Sequence, residues 1–351
     1  MVNVGQLEDE CGVGWLAKAS KVTEQVRYGI GEWYGHLISG LSAEQLHQFG
    51  TIGSGKFEGA PCPFRIAADP AALCNKPGGV CTLRKHVRDA DGNVSLAGPL
   101  VTVCPSRFWS GNEVFGWIGN AILGTTTPTL VKEVQFLTAL TEEDDEKEGD
   151  AVGRIDTILV DPTDHSKWCA MEIQAVYFSG PAMPSHLAQY RDATVAPVFP
   201  DKNRRPDFRS CGPKRLMPQL QTKVPTLRRW GKKMAVVVDK PFFSSLGKMT
   251  QVPHISNADI AWFVIDYSTD DGSIFLERTV HTTLESSVEA LTAGVPLSLA
   301  AFEAEMGRFL TGNDKRSRSK VVRLDAPAPS PDGGSDLWGG AELPDPEGMT
   351  Q

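Results

Sequence analysis

The chain has 351 residues, of which 41% are hydrophobic, so it can bury the core of one large domain or two smaller ones. Its formal net charge of −8, taken alone, argues against a nucleic-acid partner, and no apolar run is long enough to span a bilayer. The amino terminus lacks the basic and apolar regions of a signal peptide, so we expect a soluble cytoplasmic protein without a membrane partner. Seven cysteines in such a chain favour reduced thiols or metal ligands over a disulfide framework.

The first well-marked element is a helix that begins after Ser42. Ser42 and Gln45 have the spacing of a capping box, and Leu41 and Leu46 can pack together as a hydrophobic staple. Gly50 would suit the end of this helix.

Residues 61–110 contain four of the seven cysteines among Pro, Gly and basic residues, with little periodicity. These four are Cys62, Cys74, Cys81 and Cys104. Such a segment needs a staple, and four thiolates suit a tetrahedral structural ion, either zinc or iron. No Cys-x-x-Cys pair is present, so scattered buried free cysteines are the alternative. Cys11, Cys169 and Cys211 fit free cysteines better.

Residues 129–140 are expected to form a helix that leads into an acidic run at 142–150. This run would repel DNA if it faced a duplex, so a solvated loop is the simpler interpretation. One of its acids could instead be an extra metal ligand, since the run lies just before Asp156.

Residues 154–178 are expected to form a β-hairpin with its turn at residues 161–164. Both strands are apolar, yet Asp156 lies in the first and Glu172 in the second. Gln174 follows two residues later and points to the same face as Glu172. A carboxylate in an apolar strand is costly unless a charge compensates it, and a divalent cation shared across the hairpin would do so. The alternative is a salt bridge for Asp156 and a solvated strand face for Glu172.

A strongly basic block follows at residues 202–233, with eleven Lys or Arg and the single acid Asp207. This density can neutralise several phosphates, and some of its Arg residues could read guanine edges. The alternative is a solvated basic loop that balances the acidic segments. The candidate DNA-binding residues are Arg204, Arg205, Arg209, Lys214, Arg215, Arg228, Arg229, Lys232 and Lys233. Lys223 lies in the same block.

Two more buried strands are expected at 234–239 and 259–266, and residues 287–310 should form two helices separated near Pro296. The order of elements predicts a mixed α/β fold, a mixed sheet flanked by helices. We divide the chain into an amino-terminal region at 1–120 with the cysteine segment at about 60–110, a core at 121–323 with the basic block, and an acidic tail at 324–351 that is expected to be disordered.

The sequence resembles the NotI-type restriction endonuclease family over roughly residues 60–180. One matching part is Cys62-Pro-Phe, the Cys74 and Cys81 pair, and Cys104-Pro-Ser-Arg-Phe, which is similar to that family's four-cysteine iron site. The other is Ile155-Asp156 followed by the more specific string Met171-Glu-Ile-Gln-Ala-Val-Tyr177.

The resemblance implies a PD-(D/E)XK nuclease core and a homodimer that cleaves double-stranded DNA with Mg²⁺, at a target that is a GC-rich palindrome in family members. It would place iron rather than zinc at the cysteines. Asp156 and Glu172 would bind Mg²⁺ with the Ile173 carbonyl, and Gln174 would orient the attacking water. For the family's further upstream acid, Glu142, Glu143 and Glu148 compete.

These features predict a type II restriction endonuclease that leaves 5′-phosphates and has a DNA methyltransferase as genetic partner. A nuclease of DNA repair or of a mobile element, without a palindromic target, is a second interpretation. A metal-stapled DNA-binding regulator without enzymatic activity is the third.

Overall fold

A computed structural model of the chain describes residues 24–54, 60–65, 70–138, 151–179, 184–292, 294, 297–312 and 320–321. The acidic run at 142–150, the tail at 324–351 and Cys11 lie outside the described residues. The chain divides into two compact units, Met1–Gly294 and Val295–Gln351. The boundary that we place near residue 120 stays a prediction.

The strands and helices are numbered in chain order. The strands are β1 Gln25–Trp33, β2 His36–Leu37, β3 Val80–Arg88, β4 Val94–Thr102, β5 Thr129–Thr138, β6 Ala151–Val160, β7 Trp168–Ile173, β8 Phe178–Ser179, β9 Arg205–Pro206, β10 Met234–Asp239, β11 Ile260–Tyr267 and β12 Ile274–Thr282. The α-helices are α1 Ala43–Ser54, α2 Glu113–Ile118, α3 Pro184–Arg191, α4 Phe208–Cys211, α5 Met217–Arg229, α6 Lys240–Ser245, α7 Leu284–Thr292 and α8 Leu299–Thr311.

A six-stranded sheet forms the centre of the first unit, with the order β12-β11-β10-β7-β6-β5 among the described strands. β10 is parallel to both β7 and β11, whereas β5, β6 and β12 are antiparallel to their neighbours. The predicted hairpin at 154–178 is confirmed as β6 and β7, and the two predicted buried strands are confirmed as β10 and β11. The predicted mixed α/β class is confirmed.

The central strands of this sheet are buried on both faces, because their neighbouring residues belong to two different hydrophobic clusters. Val236 and Val264 face the side where α5 and α7 pack, while Val237 and Phe263 face the side covered by α2. Strands buried on both faces are expected to be continuously apolar. The sheet is therefore flanked by helices, as predicted.

A second sheet departs from the single sheet that the sequence predicted. In the described residues it has four antiparallel strands in the order β2-β1-β3-β4. Its core residues Ile30, Trp33 and Leu83 belong to the same cluster as Val236. Residues 61–110 are thus more regular than predicted, since they contain β3 and β4. β3 is central in its sheet and has buried residues on both faces, so it lacks the alternation that marks a half-buried strand.

The helix predicted at 129–140 is wrong, because β5 occupies Thr129–Thr138 and pairs antiparallel with β6. Val131, Val134 and Phe136 are residues that favour strands. β6 also supplies backbone hydrogen-bond partners that the local sequence does not reveal.

The capping box of α1 is confirmed. The Ser42 N–H donates to Gln45 Oε1 at 3.0 Å, and the Gln45 N–H donates to Ser42 Oγ at 3.2 Å. Gly50 does not end this helix, which continues to Ser54. A side chain at Gly50 would come within 2.4 Å of Arg191 Cβ on α3, so the glycine allows two helices to approach closely.

The predicted pair of carboxyl-terminal helices is confirmed as α7 and α8. No helix in the described part of the chain is long and apolar enough to cross a membrane.

Candidate active site

The acids of the predicted hairpin meet at one place. β6 and β7 pair from Val160↔Trp168 to Thr157↔Met171. Continuing this register by one residue places Asp156 opposite Glu172, with both side chains on one face of the sheet. The Glu172 side chain is 13% exposed and that of Asp156 is 60% exposed, so one acid is enclosed and the other opens to solvent.

A lysine from a distant helix joins the two acids. Lys223 Nζ lies 2.9 Å from Asp156 Oδ2 and 2.9 Å from Glu172 Oε2. Its side chain is only 4% exposed. Lys223 is therefore a component of the acid pair's surroundings and not an exposed member of the basic block.

Lys223 was not predicted as a site residue, although the sequence contains a signal for it. On α5 the buried apolar residues Leu220, Val224 and Leu227 follow helical spacing, and Lys223 falls within that stripe. A charged residue on the buried side of an amphipathic helix needs a partner of opposite charge. Here the partners are the two acids of the hairpin.

Burial raises the pKa of Glu172 to about 7, even though the Lys223 ammonium acts in the opposite direction; the Asp156 carboxyl raises it as well. Burial acts to lower the pKa of Lys223, but the charges of Glu172 and Asp156 outweigh this effect and raise it. Lys223 is thus a fixed positive charge between two carboxyl groups. Such a mutual arrangement of ionisable groups is typical of functional sites.

Gln174 follows Glu172 by two residues and is buried. Its backbone N–H donates to the Val237 carbonyl at 3.0 Å, and its side-chain Nε2 donates to the Ala175 carbonyl at 2.5 Å. The neighbouring Ile173 lies two residues beyond the last β6–β7 pair. Gln174 carries no charge. The positive charge that contacts both acids comes from Lys223.

The first half of the basic block packs beside the carboxyl end of β7, which carries Glu172. The Asp207 N–H donates to the Tyr177 carbonyl at 2.6 Å, and the Tyr177 N–H donates to Cys211 Sγ at 3.1 Å. The Arg215 guanidinium lies 3.6 Å from the centre of the Tyr177 ring. Four candidate DNA-binding residues are exposed on this half: Arg205, Arg209, Lys214 and Arg215.

The second half of the block lies at the opposite end of the parallel strands. Arg228 pairs with Asp259, which precedes β11, and with Glu285. Lys233 Nζ donates to the Ser256 carbonyl at 2.9 Å.

Three further candidates also contact the chain itself. Lys232 Nζ donates to the Ser166 carbonyl, and Arg229 Nη2 donates to Thr226 Oγ1 at 3.3 Å. Arg204 is buried against the Phe178 ring. The DNA contacts predicted for these residues and for Arg228 and Lys233 stay predictions. Each of these side chains would have to give up a contact inside the chain in order to bind DNA.

The four predicted metal-binding cysteines come together. Cys62 and Cys81 share a small hydrophobic cluster against which Cys74 packs, and the Cys104 N–H donates to the Cys81 carbonyl at 3.2 Å. Burial raises the pKa of the Cys74 thiol, and the charges of Cys104 and Cys62 act in the same direction. Lys76 Nζ lies within electrostatic reach of three of these sulfurs and donates to the Val103 carbonyl at 2.7 Å.

The cysteines nevertheless do not adopt a ligand arrangement. Within the described ranges, no three His, Cys, Asp or Glu side chains are placed to hold one metal ion. The Cys74 thiol lies 3.8 Å from the Lys76 carbonyl and the Cys81 thiol 3.6 Å from the Gly79 carbonyl, as expected of neutral thiols. Cys169 and Cys211 are buried free cysteines, as predicted.

Arg107 ties the cysteine segment to the six-stranded sheet. Its Nε lies 2.8 Å from Glu32 Oε2, and both side chains are 2% exposed. Its Nη2 donates to Glu32 Oε1 at 2.8 Å and also to the Gly272 carbonyl in the β11–β12 turn. The guanidinium also lies over the rings of Phe64 and Tyr267 at 4.7 and 4.5 Å. The string Cys104-Pro-Ser-Arg-Phe predicts a metal-ligating cysteine but contains no local signal for the buried ion pair that Arg107 forms.

One comparison with known proteins gives a match. A family model described as restriction endonuclease NotI matches residues 50–275, more than half of the chain. The match includes the four cysteines, the acid pair, Lys223 and the basic block. No curated protein matches the sequence significantly.

Proposed function

Since the chain belongs to the NotI restriction endonuclease family, we propose that it cuts double-stranded DNA with Mg²⁺ at the Asp156–Glu172 pair, within a PD-(D/E)XK nuclease core. Family membership makes the chain a type II site-specific deoxyribonuclease. The role of Mg²⁺, the nuclease core and the residues that act are the proposal.

The observation that carries this proposal is the meeting of Asp156 and Glu172 on neighbouring strands. Two carboxylates that face one another across a sheet provide the oxygen donors that Mg²⁺ prefers. The Ile173 carbonyl would be a third donor. The donor set therefore fits the ion, and the exposed Asp156 side leaves a way in for water and phosphate.

When bound, Mg²⁺ lowers the pKa of water and neutralises charge that develops on the phosphate. Gln174 would orient the attacking water through its amide oxygen, because its Nε2 already donates to the Ala175 carbonyl. The water oxygen would bond to phosphorus as the bond to the 3′-oxygen breaks, and a proton would pass to that oxygen. One fragment would keep a 5′-phosphate and the other a 3′-hydroxyl.

A palindromic target would require a two-fold homodimer in which each subunit cuts one strand. We propose a GC-rich palindrome by analogy with the family, together with a DNA methyltransferase that protects the host sequence. We propose that the nuclease acts in the cytoplasm.

The test is a digest of long DNA by purified protein, with Mg²⁺ or with EDTA. We expect double-strand breaks at one short sequence with Mg²⁺, 5′-phosphates on the fragments, and no breaks with EDTA. Cuts at unrelated sequences would favour a repair or mobile-element nuclease. Binding without any cut would contradict the proposal.

Exposed residues of the basic block should contribute to DNA binding through phosphate charge. Replacing Arg209 and Lys214 together with alanine should weaken binding and flatten the dependence of log K on log salt by roughly one unit per lost contact. The control is the pair Arg228→Ala and Lys233→Ala, whose side chains contact the chain itself. If only the control pair flattens the slope, DNA lies at the other end of the sheet.

A structural iron or zinc ion at Cys62, Cys74, Cys81 and Cys104 is also proposed, supported by the convergence of the four thiols and their suitability as soft ligands. Freshly purified protein should then carry about one such ion per chain by elemental analysis, the stoichiometry of a four-thiolate site. Cys74→Ser should lose it. Cys211→Ser should retain it, because Cys211 lies beside Tyr177 and outside the cluster. Metal-free protein with all thiols titratable would contradict the site.

A further inference from the structure

Lys223 contacts both acids of the pair, and the proposed reaction gives this lysine no role. Its contacts to Asp156 Oδ2 and Glu172 Oε2 have the same length, 2.9 Å, so the ammonium is shared equally. It occupies the place where a cation between these carboxylates is most favourable.

The helix holds Lys223 in this place. Leu220, Val224 and Leu227 are fully or almost fully buried on both sides of Lys223 along α5. They pack in the same cluster as Ala170 of β7 and Val236 of β10. The Lys223 side chain is only 4% exposed, so its charge lies next to the carboxylates in the packed structure.

The positive charge of Lys223 has two opposed effects: it weakens the attraction of the site for a cation, and it helps to compensate the charge of a phosphate. When both carboxyl groups are ionised, as cation binding requires, the two carboxylates and the ammonium together carry about −1, and a divalent cation would bring the site to about +1. That value balances the single negative charge of a phosphodiester. Without the ammonium, the same site would attract the cation more strongly but would leave the phosphate charge uncompensated.

We propose that Lys223 is a positioning residue that weakens divalent-cation binding in exchange for charge balance on the phosphate. This inference rests on the proposed function, since it assumes that the acid pair holds the cation. It makes cation affinity and cleavage rate change in opposite directions, which a merely structural lysine would not do.

The experiment compares Lys223→Met with wild-type protein, using Ca²⁺ as the probe. Calorimetric titration of protein freed of Mg²⁺ should show Ca²⁺ binding on the order of tenfold more tightly in the variant, since a neighbouring like charge is gone. Cleavage of bound DNA at saturating Mg²⁺ should fall roughly 100-fold or more, as for the loss of one electrostatic donor. Lys223→Arg keeps the charge and should retain wild-type Ca²⁺ affinity. The control Lys248→Met removes an exposed lysine and should change neither quantity.

Thermal unfolding gives a second measure of Ca²⁺ binding, one that also applies to a destabilised variant. Lys223→Met leaves two carboxylates facing one another, so Ca²⁺ should raise its melting temperature more than that of wild-type protein. A variant that stays unfolded with Ca²⁺, or one that loses Ca²⁺ affinity and activity together, would overturn the proposal. So would unchanged affinity and rate. Full cleavage by Glu172→Ala, in contrast, would overturn the proposed function itself.

Discussion

Replacing Glu172 with alanine should abolish DNA cleavage and preserve sequence-specific DNA binding. The substitution removes the more enclosed of the two carboxylates. In the proposed function this carboxylate provides oxygens for the cation and makes no contact to the bases. A loss of several kcal/mol of transition-state stabilisation corresponds to at least about a thousandfold in rate. Single-turnover cleavage and a gel-shift assay on the same DNA would measure both properties.

The matched variant is Asp156→Ala, because Asp156 shares Lys223 with Glu172. It should be equally inactive. Full cleavage by either variant, at the wild-type position, would mean that the reaction takes place elsewhere in the protein.

Breaking the buried Arg107–Glu32 ion pair should lower the free energy of unfolding strongly. Arg107→Met leaves the Glu32 carboxylate buried without its partner, and removing one member of a buried ion pair typically costs about 3–5 kcal/mol. We expect the urea midpoint of unfolding to fall accordingly. The cause is the loss of three charge-assisted hydrogen bonds to Glu32 and of the hydrogen bond to the β11–β12 turn.

Two controls separate burial from charge. Lys167→Met breaks an exposed pair with Asp164 and should change the free energy of unfolding by about 1 kcal/mol or less. Combining Arg107→Met with Glu32→Leu should recover much of the lost stability, since no unpaired charge remains. An equal effect of Arg107→Met and Lys167→Met would show that the buried pair does not stabilise the fold.

The sequence predicts the β6–β7 hairpin well because its signals are local. Apolar strands, a turn rich in Pro and Asp, and two acids at fixed positions all lie within residues 154–178. The capping box at Ser42 and the split between α7 and α8 are local in the same way.

Lys223 is harder to predict because its role depends on where α5 packs. In the sequence it is one of eleven basic residues in the block, and only the apolar stripe around it distinguishes it. Arg228 is hard to predict for the same reason. Its partners Asp259 and Glu285 are distant in the sequence and are next to it only in the folded protein. In the sequence the basic block is one continuous segment. In the fold its two halves lie at opposite ends of the parallel strands of the six-stranded sheet.

β5 and β3 were missed for a related reason. Each depends on a partner strand for its hydrogen bonds. In addition, β3 lacks the alternation of a half-buried strand. The convergence of four cysteines was predicted from composition, but their arrangement depends on backbone contacts such as that from Cys104 to Cys81.

The most direct test of the central claim is a crystal structure of the protein with its target DNA and Mn²⁺, using anomalous diffraction to locate the ion. We expect an anomalous peak between the carboxylates of Asp156 and Glu172, next to a phosphate of the DNA. An ion bound to the DNA phosphate but held by other residues, with the Asp156–Glu172 pair still closed on Lys223, would contradict the assignment.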